Sequence, residues 1–218
     1  MTRWTVARTL GAGALLYLVL VAVGMGITRM FDDWAVIRAD ARVPRWLADR
    51  RTDTLDMLTD IGSTMADTPV AIAVTAVLFL LLRWWLGRWR ESLTVLAAIM
   101  GELFVFLLVT NTIGRDRPPV PHMDPAPPTS SFPSGHTAAA VALYGCLAIV
   151  LLRQMANRTL ARVLAVLLFC IPVIVAVSRV YRGMHFPSDV VFGALGGGTW
   201  LLLVVLAMMP AAAHGSRR

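Results

Sequence analysis

The chain has 218 residues, 57% of them hydrophobic and 15% charged, with a formal net charge of +7. So little charge on so much apolar sequence, at a mean hydropathy of +0.69, excludes an ordinary water-soluble domain and points to the bilayer as solvent. All 20 basic residues are arginine. They sit in short clusters between apolar runs, where headgroups are met, and not on the basic, aromatic face of a nucleic-acid module.

In chain order, apolar runs occupy 10–27, 70–86, 93–109, 138–152, 163–177 and 190–209. Extended by neighbouring small or polar residues that face protein, they predict six transmembrane helices. The expected fold is all-α and polytopic, one membrane-embedded domain over 1–218. The first run follows Arg3 and Arg8 as a signal peptide would. Its length, the Arg29 flank and the lack of a small-x-small cleavage site favour a retained helix. Between the first two runs, 29–69 carries six arginines and eight aspartates interleaved with Trp34, Ile37, Trp46 and Leu47. That pattern reads as one or two interfacial helices, or as a solvated loop.

Seven prolines between 114 and 133 exclude a regular helix there, so that segment is a loop joining spans three and four. Cys146 and Cys170 lie in apolar runs and read as buried free thiols, without metal spacing or disulfide. Gly196, Gly197 and Gly198 suit close helix packing. Tryptophans fall mostly near span ends, as interfacial anchors do. The Asn157-Arg158-Thr159 sequon lies in a turn read as cytoplasmic and is taken as chance. His122 and His214 read as solvated. Glu102, deep in the third run, is open between a functional group and a packing residue. Once acid-balanced and motif arginines are discounted, the positive-inside rule places both termini in the cytoplasm.

Three polar clusters interrupt the apolar background: Gly114-Arg115-Asp116-Arg117-Pro118, Pro133-Ser134-Gly135-His136, and Ser178-Arg179 through His185 to Asp189. Helix parity brings all three to one membrane face. Span three ends where span four begins, spans four and five form a hairpin that returns there, and span six starts from that face. Arg117 and Arg179 offer planar forks that suit phosphate oxygens. Ser134 and the amides around Gly135 open a helix, a natural anion site. Of two histidines, one can attack phosphorus as neutral imidazole while the other protonates the leaving oxygen. Asp189, four residues after His185, is spaced to hold one ring nitrogen.

The second and third clusters resemble the signature of the type 2 phosphatidic acid phosphatase superfamily, which also includes vanadium haloperoxidases and bacterial acid phosphatases. Its pattern is lysine, six residues, Arg-Pro; Pro-Ser-Gly-His; then Ser-Arg, five residues, His, three residues, Asp. By that resemblance His185 forms a phosphohistidine, His136 protonates the leaving group, Asp189 orients His185, and Arg117, Ser134, Gly135 and Arg179 hold phosphate. The first motif departs from the pattern, because Thr110 stands where the family has lysine. One phosphate contact is then either missing or supplied otherwise, by Arg115 or Arg182 as a charge or by Thr110 or Asn111 as a neutral hydrogen bond.

The implied activity is hydrolysis of a membrane lipid phosphate or pyrophosphate without metal or other cofactor. Candidate substrates are phosphatidic acid, phosphatidylglycerol phosphate, polyprenyl pyrophosphate and a phosphorylated polyprenyl sugar. The site is expected on the extracytoplasmic face of the cell membrane. The alternatives are a lipid phosphotransferase of the same fold and a catalytically impaired lipid-binding or transport relative. Oligomeric state is not legible in the sequence.

Overall fold

The computed structural model describes residues 3–30 and 34–209. Asp32, Asp33, His214, Arg217 and Arg218 lie outside the described residues. Eight α-helices follow in order: α1 (Arg3–Met25, continued by a π-helical turn over Gly26–Met30), α2 (Ala35–Ala48), α3 (Asp53–Thr64), α4 (Thr68–Leu86), α5 (Arg90–Ile113), α6 (Gly135–Gln154), α7 (Arg158–Tyr181) and α8 (Pro187–Met208). All except α2 and α3 are long and apolar enough to cross a membrane, so the chain is a multi-pass, all-α membrane protein with six spans. Each span outruns the apolar run that announced it. The added turns contain Thr110, Ser178 and Arg179, which are buried in protein and escape a hydropathy count.

Local chemistry sets the helix ends. Gly114 (φ 67°) and Gly183 (φ 75°) adopt the left-handed conformation just beyond α5 and α7, which only glycine takes without strain. Asn157 accepts from the Leu160 amide at 3.0 Å and so caps α7; a helix start explains the asparagine of the sequon. α8 opens with Pro187 at its first turn and Asp189 two residues on, whose Oδ2 accepts from the Phe186 amide at 2.8 Å. Within 34–64 the chain forms two helices, α2 and α3, joined by a short turn at 49–52. Trp34, just before α2, and Val43 and Trp46 within it are all exposed.

α6 lies at the centre, packed on α5, α7 and α8, whereas α4 is peripheral. The α6–α8 contact is backbone on backbone: a Cβ at Gly193 would stand 2.5 Å from Ser134 O, and one at Gly197 would stand 2.5 Å from Ala138 O. Such small-residue contacts let spans approach closely where no hydrophobic effect drives them together. Two expectations change here. Trp200 is not an interfacial anchor: it is buried, with its ring against Gly101 and its Nε1 donating to Ala97 O at 3.2 Å. Cys146 is buried, but Cys170 is exposed on α7, because an apolar run in a membrane protein also faces lipid. Gly197→Val should push α8 off α6 and destabilise the protein by about 1–3 kcal/mol. A fall in the thermal midpoint in detergent, absent for Gly11→Ala at an open position, would show it.

Candidate active site

The polar clusters meet at one end of the bundle through hydrogen bonds that join each to the next. The Ser134 amide donates to Asp189 O at 2.9 Å, and the Ser131 amide to Arg115 O at 2.8 Å. Arg117 Nη1 donates to Met184 O at 2.8 Å. The proline-rich loop is thereby fixed, and Ser130 and Ser131 are buried within it.

His185 is buried, and its Nδ1 lies 2.7 Å from Ser131 O. Since a carbonyl only accepts, Nδ1 carries the proton and Nε2 keeps its lone pair. Asp189 faces the same nitrogen at 3.7 Å, beyond hydrogen-bond reach. The orienting hydrogen bond expected from Asp189 therefore comes from Ser131, and Asp189 adds charge behind it. Burial lowers the His185 pKa below the ordinary histidine value, the Asp189 carboxylate opposes that, and the charges of Arg179 and Arg117 add to it. The balance of these effects favours the neutral imidazole, the form in which a histidine can act as a nucleophile.

His136 Nε2 lies 2.7 Å from Asp67 Oδ1. Asp67 precedes α4 and makes no side-chain cap there; its carboxylate is committed to the histidine. Arg179 Nη1 is shared between Ser63 Oγ at 2.8 Å and Asp124 Oδ2 at 2.6 Å. Asp124 also takes Arg182 through Nε at 2.8 Å and Nη2 at 2.6 Å. Burial alone would raise the Asp124 pKa, but the Arg182 hydrogen bond and the charges of Arg179 and Arg182 hold it below the usual carboxylate range.

A cavity of about 710 Å³ ends at these groups. Arg117, Gly135, His136, Arg179 and His185 line its polar end, and Ile72, Phe79, Leu80, Met100 and Leu103 line the rest, between α4 and α5. Ile72, Leu80 and Met100 are exposed, so the cavity opens sideways between the spans. Glu102 is buried on its wall. Arg117 Nε and Arg179 Nε are buried without a hydrogen-bond partner among the described residues. Two unsatisfied cationic donors beside two histidines are suited to an anion, since an unpaired buried donor is costly.

The remaining sequence candidates sit elsewhere. Arg115 is spent on Asp40 and Asp189, and Arg182 on Asp124 and Asp60, so neither replaces the missing lysine. Thr110 Oγ1 donates to Ser130 O at 3.2 Å and holds the loop. Asn111 turns back to Leu107 O. Ser134 is wholly buried, its hydroxyl accepting from Thr137 at 3.1 Å, and does not line the cavity. Sequence reasoning missed Asp40, Ser63, Asp67, Asp124 and Ser131. Asp67 was within reach of the parity argument, because it stands at the start of span two on the same face.

The PAP2 superfamily model matches residues 91–212, more than half of the chain. The chain belongs to the PAP2 superfamily. Phosphatidylglycerophosphatase B of Bacillus subtilis (strain 168) is 26% identical over 184 residues, 82% of this chain and 84% of that protein. The PAP2 fold is shown by two solved structures. The crystal structure of the first transmembrane PAP2 type phosphatidylglycerolphosphate phosphatase from Bacillus subtilis superposes with a TM-score of 0.76 at 22% identity, covering 88% of this chain and 92% of that one. Aquifex aeolicus LpxE superposes with a TM-score of 0.59 at 23% identity, covering 75% and 93%. If Arg117 and Arg179 seat the anion, Arg117→Gln and Arg179→Gln should each weaken competitive inhibition by orthovanadate roughly tenfold or more. Inhibition constants measured in detergent check this, and unchanged values would place the anion elsewhere.

Proposed function

We propose that this PAP2-type lipid phosphatase hydrolyses the phosphomonoester of a glycerophospholipid through a phosphohistidine on His185, without a metal ion. The observation that carries the reading is the pair of unpartnered arginine donors, Arg117 Nε and Arg179 Nε, set beside both histidines at the polar end of a cavity otherwise apolar and open between α4 and α5. The α4 wall runs from Thr68 to Leu80, roughly 18 Å of helix, about half the hydrocarbon thickness. An acyl chain can lie along it while the phosphate reaches the arginines. Phosphatidylglycerol phosphate is the leading candidate, since the relative 26% identical over most of both chains is named as its phosphatase.

His185 Nε2 attacks phosphorus while the bond from phosphorus to the lipid oxygen breaks. His136 gives that oxygen its proton, and Asp67 at 2.7 Å holds the ring in place. Arg117 and Arg179 take the charge that develops on the equatorial oxygens. His136, now a base, then draws a proton from water, which attacks the phosphohistidine and releases phosphate and free His185. Ser131 holds Nδ1 throughout. By the arginine bias of the loops, the site faces the extracytoplasmic side and both termini lie in the cytoplasm.

Purified protein should release phosphate from phosphatidylglycerol phosphate and phosphatidic acid, undiminished by EDTA. His185→Ala should lose activity by on the order of 10³-fold or more. Full activity in His185→Ala would refute the mechanism, and loss to EDTA would refute metal independence. The lowered pKa of His185 sets a further expectation. The base form persists below the ordinary value of about 6.5, so the acidic limb of kcat/KM should fall below that pH. A limb above it would contradict the buried, neutral nucleophile.

A further inference from the structure

None of Asp40, Arg115 and Asp189 lines the cavity, and all three are buried. Asp40, in the middle of α2, accepts from Arg115 Nη2 at 3.0 Å, from Ser188 Oγ at 2.5 Å and from the Ser188 amide at 2.8 Å. Arg115 Nη1 in turn reaches Ser188 Oγ at 2.7 Å and Asp189 Oδ1 at 2.5 Å. Its guanidinium stacks 4.2 Å from the Phe186 ring centre. The row ends at His185, whose Nδ1 faces the second oxygen of Asp189 at 3.7 Å.

We infer that Asp40 is a positioning residue for the nucleophile, acting through a relay of Asp40, Arg115 and Asp189 that ties the helix α2 to His185. The inference rests on His185 being the nucleophile. One guanidinium is shared between two carboxylates, so removing Asp40 leaves the whole charge of Arg115 to Asp189. Asp189 is then drawn to Arg115, its field at the imidazole weakens, and Nε2 becomes a poorer nucleophile. The first turn of α8 also loses the acceptor for the Ser188 amide, which with the Asp189 cap at Phe186 sets where Asp189 stands. A buried charge that loses its partner costs far more than an exposed one, so the effect reaches the catalytic end although Asp40 touches no substrate.

The test is steady-state kinetics of full-length Asp40→Asn, Asp189→Asn and the double variant, with His185→Ala in the same assay. Asp40→Asn should lower kcat roughly 10- to 100-fold, the range typical of residues that support a catalytic ligand, with KM held within about twofold. In the Asp189→Asn background it should cost nothing further, because both act through one relay. Its acidic limb of kcat/KM should move to lower pH. An unchanged kcat, a loss confined to KM, or losses that add across the double variant would each overturn the inference. If Asp40→Asn does not fold, Ser188→Ala keeps every charge and removes one link; it should lower kcat with the same non-additivity, and additive losses would overturn the relay. Activity retained in His185→Ala would mean that the nucleophile reading had failed, whereas an inactive His185→Ala beside an unaffected Asp40→Asn would sink the relay alone.

Discussion

Asp189 is wholly buried at the start of α8, and both of its oxygens are occupied. Oδ1 takes Arg115 at 2.5 Å, while Oδ2 takes the Phe186 amide at 2.8 Å and faces His185 at 3.7 Å. Its backbone carbonyl receives the Ser134 amide. One residue thereby joins the end of α5, the start of α6 and the turn into α8, the three places that bear the polar motifs. A carboxylate with no water around it must be paired, and the pairing decides where the helices sit. Loss of one partner of such a buried pair costs about 3–5 kcal/mol; the site and the stability of this end are therefore one problem.

The rest of the site uses the same economy of charge. Arg115 and Arg182 are neutralised by aspartates, and Arg179 is held on one side by Asp124 and Ser63. Among the arginines that line the cavity, Arg117 and Arg179 each keep a buried Nε donor with no partner among the described residues. Immobilised donors need no reorganisation as charge develops on a transferring phosphoryl group. Thr110 adds nothing to that set, because its hydroxyl holds Ser130; the position where the family carries lysine serves the loop.

The six spans, the meeting of the polar clusters at one end, and the residues His136, Arg117, Arg179 and His185 along one cavity were legible in the sequence. Hydropathy counts spans, and parity alone decides which ends share a face. What was hidden depends on partners distant along the chain. Asp40 meets Ser188 across 148 positions, and Asp67 meets His136 across 69. In the sequence Asp40 is indistinguishable from its neighbours in an acid-rich stretch, and only its place at the start of span two sets Asp67 apart. The role of Ser131 was hidden for another reason: it acts through its carbonyl, which every residue has. Arg115 and Arg182 were readable as cations but not as cations already spent, since a charge count does not show which carboxylate lies behind each guanidinium.

The covalent step on His185 is open to direct trapping. Full-length protein would be mixed with lipid carrying a labelled phosphoryl group, quenched in base within milliseconds to seconds, and mapped by peptide. The expected result is protein-bound label that survives base, is lost in acid, maps to His185, appears before free phosphate, and is absent from His185→Ala. Turnover without any protein-bound label, or label undiminished in His185→Ala, would contradict the assignment of His185 as the nucleophile.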